Sequence, residues 1–165
     1  MCSKAGSQYQ HIADNIRASQ HLPDPVNHIL LQSEAVSVMQ KLVLPSQSGT
    51  YALLIDLGQV DGLSVGKLGS YELRPGTFCY IGSAHGPGGL AGRIKRHMRP
   101  ASQKRRHWHI DWLLESASLQ QIWWVQSPQS LECAWSQTIS QIAESPIPWI
   151  WILGLLLCKP SLHVA

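Results

Sequence analysis

The chain has 165 residues, four cysteines and a net charge of +3, enough length for one domain with a proper core. Its longest apolar run, residues 148–158, is about half of what a membrane span requires, so no transmembrane helix is expected. Cys2, Cys79, Cys133 and Cys158 form no CxxC pair, and no charged-then-apolar leader opens the chain. Both features point to a reducing, cytoplasmic setting without a disulfide framework.

Residues 1–28 are polar and mixed, sustain neither the helical nor the strand period, and read as a mobile arm. Over residues 29–44, Leu30, Leu31, Ala35, Val38, Met39 and Leu42 recur at steps of three and four, which predicts a short amphipathic helix; residues 1–44 are thus an arm and a helical lead-in. The domain proper begins at Gly49. Residues 49–57 (GTYALLIDL) form a continuous apolar run bounded by glycine, which suits a central strand. Residues 66–73 (GKLGSYEL) alternate enough to be a second strand, and the turn Arg74-Pro75-Gly76 leads into a third, TFCYI, which breaks at Gly82. Three adjacent antiparallel strands followed by a helix are the economical arrangement. The class is therefore α+β, a small central three-stranded antiparallel sheet flanked by helices, with an added C-terminal strand or helix.

The loop over residues 83–89 holds Gly86, Gly88 and Gly89 around Pro87, a backbone able to approach a phosphate closely. From Leu90 the spacing is helical. Arg93 shares a face with Arg96 or His97, and Lys95 shares another with Arg99. Between Arg93 and Arg106 there are seven Lys or Arg and no acid, including Lys104, Arg105 and Arg106 in the next loop. Beside a glycine loop such a block fits a polyanion, although a solvated basic helix after a glycine turn has the same local pattern. A second helix starts near His109 or Ile110, with Trp112, Leu113 and Leu114 facing inward. His109 and Asp111 read either as its N-terminal cap and scaffold or as DNA or metal contacts. Residues 121–126 (QIWWVQ) form a strand. Residues 127–130 cap a third helix from Leu131 to about Ala143, where Leu131, Trp135 and Ile139 make one stripe and Glu132 sits beside it.

Taken in order, Gly49-Thr50-Tyr51, Tyr80-Ile81-Gly82, Arg93 in the following helix and Glu132 in a later one make the chain resemble the GIY-YIG nuclease superfamily. More narrowly it resembles the branch known as the DUF123 domain of unknown function. Members of that branch carry VGKLG, GSAxGPGGLxxRxxRH, WHIDxLL and an EC pair, which stand here at residues 65–69, 82–97, 108–114 and 132–133. The resemblance spans residues 49–148 and implies a metal-dependent endonuclease that hydrolyses phosphodiester bonds in DNA. Tyr51 would be the general base or water orienter, Tyr80 its hydrogen-bonding neighbour, Arg93 the phosphate clamp with His97 beside it, and Glu132 the sole protein ligand of one Mg²⁺ or Mn²⁺. Gly88, Gly89, Lys95, Arg96, Arg99, Lys104, Arg105 and Arg106 would lie against DNA, with His109 and Asp111 structural or supporting. Tyrosine titrates near pH ~10, so a tyrosine base at neutral pH requires positive charge close by. Two other readings stay open: a nucleic-acid-binding module that does not cleave, and an inactive product of a frameshifted gene.

The frameshift reading comes from the C-terminus. Members of the branch continue after a proline-rich bend with a polar block of the form GFGxSDCxCxxHL, whereas this chain reads WIWILGLLLCKPSLH over residues 149–163. Trp is encoded only by TGG and Ile only by ATH. Reading one base later therefore fixes Gly, allows Phe, fixes Gly again, and with permitted codons allows GFGSSDCCCANHL. Residues 149–165 are accordingly expected to be an apolar tail out of frame with the family, the other reading being a genuine core strand or helix. Codons at that locus incompatible with the polar block would end the frameshift reading. On it, Cys158 and His163 are not inherited as metal ligands.

Overall fold

The computed structural model describes residues 27–30, 43–65, 69–73 and 75–140. The arm before residue 27, most of the expected helical lead-in, the end of the third helix and the apolar tail lie outside the described residues.

Among the described residues, six strands and three α-helices follow in chain order: β1 Asn27–Leu30, β2 Gly49–Leu57, β3 Leu63–Ser64, β4 Ser70–Tyr71, β5 Gly76–Ser83, α1 Gly89–Met98, α2 His109–Ser116, β6 Ala117–Gln126 and α3 Glu132–Ser140. The main sheet is four-stranded and antiparallel, ordered β1-β6-β2-β5. The expected α+β class holds. β2 is buried along its length except at Asp56, as its unbroken apolar run predicts, because both faces are covered. Alternate residues face opposite sides. Tyr51, Leu53, Ile55 and Leu57 join Leu90 and Ile94 of α1 and Ile110 and Leu113 of α2 in one core. Ala52 and Leu54 join Ile81, Trp123, Val125 and the α3 residues Trp135 and Ile139 in the other. Trp112 and Leu114, expected to face inward with Leu113, are half-buried against the first core.

Three expectations are corrected. The stretch over residues 66–73 is not the third strand of the central sheet. Of its described residues, Ser70–Tyr71 is strand, paired with Leu63–Ser64 in a separate two-stranded ribbon that, with its flanks, places Leu63, Val65 and Leu73 in the first core. The place beside β2 goes instead to β6, whose run Gln121 to Val125 is buried throughout. A long strand rich in Trp, Ile and Val forms more cross-strand contacts there than a short segment with two glycines. Asn27–Leu30, expected as the end of the arm and the start of a helix, is an edge strand on the far side of β6, with Asn27 opposite Trp124. Finally, Cys133 is disulfide-bonded, against the expectation of no disulfides, while Cys79 is a free thiol whose pKa burial pushes up to about 12.

Candidate active site

The β2–β5 register sets Tyr51 opposite Gly82 and Leu53 opposite Tyr80. Tyr51 and Tyr80 are therefore diagonal neighbours on the face that α1 covers, and the long interval between them does not keep them apart. Their ring centroids lie 6.3 Å apart. His97, from the last turn of α1, completes a triangle at 5.6 Å from Tyr51 and 5.9 Å from Tyr80. Gly82 makes room for this group, since a Cβ there would stand 2.6 Å from the Tyr51 hydroxyl. Gly82→Ala is expected to push Tyr51 off its partners and to destabilise the fold by about 1–3 kcal/mol, as overpacking does. Denaturant unfolding reads the second effect, and a stability equal to wild type would show that the ring moves aside freely.

The Tyr51 hydroxyl is 2.9 Å from His97 Nε2 and is also hydrogen-bonded to Tyr80. His97 Nδ1 is buried without a partner. A buried acceptor is left unpaired more readily than a buried N–H, so the favoured tautomer has Nε2–H donating to Tyr51 and Tyr51 donating to Tyr80. Tyr51 is 1% exposed, whereas Tyr80 is half-buried and is the member of the pair with contact to solvent. Burial, the largest influence, holds the Tyr51 pKa well above its ordinary 10, and it pushes Tyr80 up to about 12 with help from the Glu132 charge; Arg93 lowers both. Burial also pushes His97 down to about 3. At neutral pH the trio is therefore uncharged. The positive charge that a tyrosine base demands is present in Arg93, but it does not outweigh burial.

The same numbers predict a pH dependence of stability. His97 binds its proton near pH 6.5 when unfolded and near 3 when folded. Its contribution is full above pH ~6.5 and is lost as the pH falls, because the unfolded chain then takes up the proton first. About 2–3 kcal/mol should disappear between pH 6 and 4, and His97→Gln should remove that slope from urea-unfolding curves.

Arg93 is the cation the group shares: its charge lowers the pKa of Tyr51, Tyr80, His97 and Glu132 alike. Its guanidinium lies over the Trp108 ring, 4.5 Å from the centroid. Glu132 opens α3 and is buried. Burial raises its pKa more than the hydrogen bonds from the Ser83 hydroxyl and N–H, or the charges of Arg93 and His85, lower it. That end of α3 is fixed to the sheet by Thr50, whose hydroxyl accepts the Leu131 N–H at 2.8 Å. Thr50, Ser83 and Trp108 are the site residues that sequence reasoning missed. Thr50 had a signal, a hydroxyl in the middle of the GTY triplet on an otherwise apolar strand.

The expected DNA-facing residues divide. Arg96 donates to both oxygens of Asp111 at 2.9 Å and to the Arg105 carbonyl. Lys104, nearly buried, pairs with Asp111 at 3.5 Å and donates to the His97 carbonyl. Both cations thus tie the end of α1 to the start of α2. Asp111 is fully buried and also accepts the N–H groups of His107 and Trp108 at 2.9 and 3.0 Å, so it is the cap and scaffold expected of it. Burial alone would raise its pKa, but the bonds from Arg96, Trp108 and His107 outweigh burial and hold it well below the usual carboxylate range. His109 is exposed on the first turn of α2, its ring 6.5 Å from that of Trp112. Gly88 and Gly89 serve packing: both have positive φ, and a Cβ on Gly89 would meet the Ser46 carbonyl. The N–H groups of Leu90 and Ala91 donate to the carbonyls of Gln47 and Pro45 at 3.0 and 2.8 Å. The start of α1 therefore offers no open N–H cradle at those two positions. Lys95, Arg99 and Arg105 remain exposed, as does Arg106, which pairs with Glu115 and lies 5.9 Å over Trp112.

The family described as Domain of unknown function DUF123 matches residues 50–150. The chain belongs to the DUF123 family. No curated protein and no solved structure matches it. Within the DUF123 match lie Tyr51, Tyr80, Arg93, His97, Trp108 and Glu132, so the whole cluster belongs to the family portion of the chain. Among the described residues no group of three or more His, Cys, Asp or Glu side chains could hold a metal ion, and no helix is long and apolar enough to cross a membrane.

Proposed function

We propose that this DUF123 chain is a metal-dependent endonuclease of the GIY-YIG kind that hydrolyses phosphodiester bonds in DNA. The observation that carries the reading is the triangle of Tyr51, Tyr80 and His97 from β2, β5 and α1, with the charge of Arg93 acting on all three and on Glu132 at the start of α3. Phosphodiester hydrolysis needs a positioned water, positive charge at the pentacovalent phosphorus and help for the departing oxygen.

Arg93 supplies the charge, and its planar fork matches two phosphate oxygens. Tyr80 reaches solvent and orients the water, while Tyr51 and His97 behind it fix the direction of its hydroxyl. At pH 7 both tyrosines keep their protons and His97, with its pKa pushed down to about 3, is a weak base, so the trio orients water rather than deprotonating it. Glu132 fits as the single carboxylate of a Mg²⁺ or Mn²⁺ site, because its buried charge is not balanced by the cations around it and a hard ion that keeps its waters needs few protein ligands. When bound, such an ion would acidify a coordinated water and polarise the phosphate. Lys95, Arg99, Arg105 and Arg106 would lie along the DNA backbone beyond the cluster, giving binding that weakens as salt rises.

The experiment is cleavage of a panel of single-stranded, duplex, flap and branched DNA with Mg²⁺ or Mn²⁺. Product from the wild type that is lost in Tyr51→Phe is expected. Salt-sensitive binding without product in any arm would leave the non-cleaving binding module.

A further inference from the structure

We propose that Trp108 is the positioning residue of Arg93: its ring takes the flat face of the guanidinium and leaves the in-plane N–H groups open to a phosphate. The inference rests on the phosphodiester reading above and goes beyond it by assigning a residue outside the reacting group.

Two arginines three positions apart on α1 are held in opposite ways. Arg96 meets Asp111 edge-on, with its Nη1 and Nη2 each donating at 2.9 Å to a different carboxylate oxygen. That fork is occupied. Arg93 makes no hydrogen bond or ion pair among the described residues, and its Cζ stands 4.5 Å over the Trp108 ring. A guanidinium stacked flat on an indole presents the face that has no N–H donors, so in that arrangement its donors all remain in plane. A carboxylate in the place of Trp108 would hold the side chain as well but would occupy the groups a phosphate needs.

Trp108 is itself held firmly. Its backbone N–H donates to Asp111 at 3.0 Å, the His107 ring meets its ring edge-on at 4.9 Å, and its indole is half-buried against the first core. Asp111 thus anchors both connections between α1 and the entry of α2. It receives Arg96 directly, and it fixes the backbone of the residue on which Arg93 rests.

The test compares Trp108→Leu, which keeps apolar bulk, with Trp108→Phe, which keeps an aromatic face, by two readouts. In the first, the Arg93 Nε–H resonance of the wild type is expected upfield of the other arginines from the indole ring current. It should move when a short oligothymidylate is added without metal. Trp108→Leu should lose the upfield shift, and Trp108→Phe should recover part of it. In the second, single-turnover cleavage with Mg²⁺ should be about tenfold slower in Trp108→Leu with oligothymidylate affinity nearly unchanged. Trp108→Phe should restore most of the rate, and the Leu substitution should add nothing in an Arg93→Ala background. An unshifted Arg93 resonance in the wild type, or a Leu effect undiminished without Arg93, overturns the proposal. A shifted resonance that responds to the oligonucleotide in a protein that cuts no DNA retains the role of Trp108 and overturns the hydrolase reading.

Discussion

Replacing Arg93 with alanine is expected to slow DNA cleavage by about 10²–10³-fold, the loss that follows removal of one preorganised charge at a reacting centre, while the protein stays folded. Arg93 is the cation whose charge acts on both tyrosines, His97 and Glu132, so on the proposed hydrolytic reading its loss removes the charge that would meet the developing negative charge of the phosphate. The fold should tolerate the change. Arg93 is half-buried, rests on the Trp108 ring and forms no ion pair among the described residues, so its removal breaks no salt bridge. Arg93→Lys restores charge without the fork and should recover part of the rate. Circular dichroism and urea unfolding beside single-turnover cleavage separate the two effects, and equal rates for wild type and Arg93→Ala would remove Arg93 from the mechanism.

The largest effect on stability is expected at Asp111. Asp111→Ala should cost about 3–5 kcal/mol, the range for removing one partner of a buried ion pair. The carboxylate is fully buried and satisfies Arg96, Lys104 and the N–H groups of His107 and Trp108. Removing it leaves a nearly buried Lys104 without its ion-pair partner and frees the entry of α2. The pH sign follows from its depressed folded pKa: the contribution is present above the unfolded carboxyl value near pH ~4 and is lost as the pH falls toward the folded value. That window lies below the one assigned to His97, so acid unfolding should show two stages, and Asp111→Asn should remove only the lower. Denaturant unfolding across pH checks both, and an Asp111→Ala variant within about 1 kcal/mol of wild type would contradict the hub.

Strong local patterns carried much of this structure. The glycine-bounded apolar run of β2, the TFCYIG strand and the helical spacings after Leu90 and His109 correspond to β2, β5, α1 and α2 within a residue or two. The tyrosine pair came from the resemblance alone, and its long interval left the convergence open; the antiparallel register supplies it, carrying a diagonal pair across any length of intervening chain. What local pattern missed is non-local. β6 lies beside β2 although it is far from it in sequence, and the four residues of β1 have too little pattern of their own to announce a strand. Charge sign was readable and its use was not. Arg93 and Arg96 look alike in sequence, and only the fold shows that one faces Asp111, fifteen positions on, and the other the ring of Trp108. Gly88 and Gly89 suggested a phosphate cradle, whereas the positive φ of Gly88 and the close passage of the chain at Ser46 and Gln47 beside Gly89 account for them.

The central claim, that the cluster around Arg93 is a hydrolytic centre, is tested most directly at Glu132. The measurement is single-turnover cleavage of labelled DNA with and without Mg²⁺ or Mn²⁺, wild type beside Glu132→Gln, with DNA affinity measured on the same samples across salt. Metal-dependent product is expected from the wild type and none from Glu132→Gln, with the same affinity and salt slope for both, since the exposed lysine and arginines are untouched. Product that forms equally in Glu132→Gln, or without any divalent ion, would contradict it.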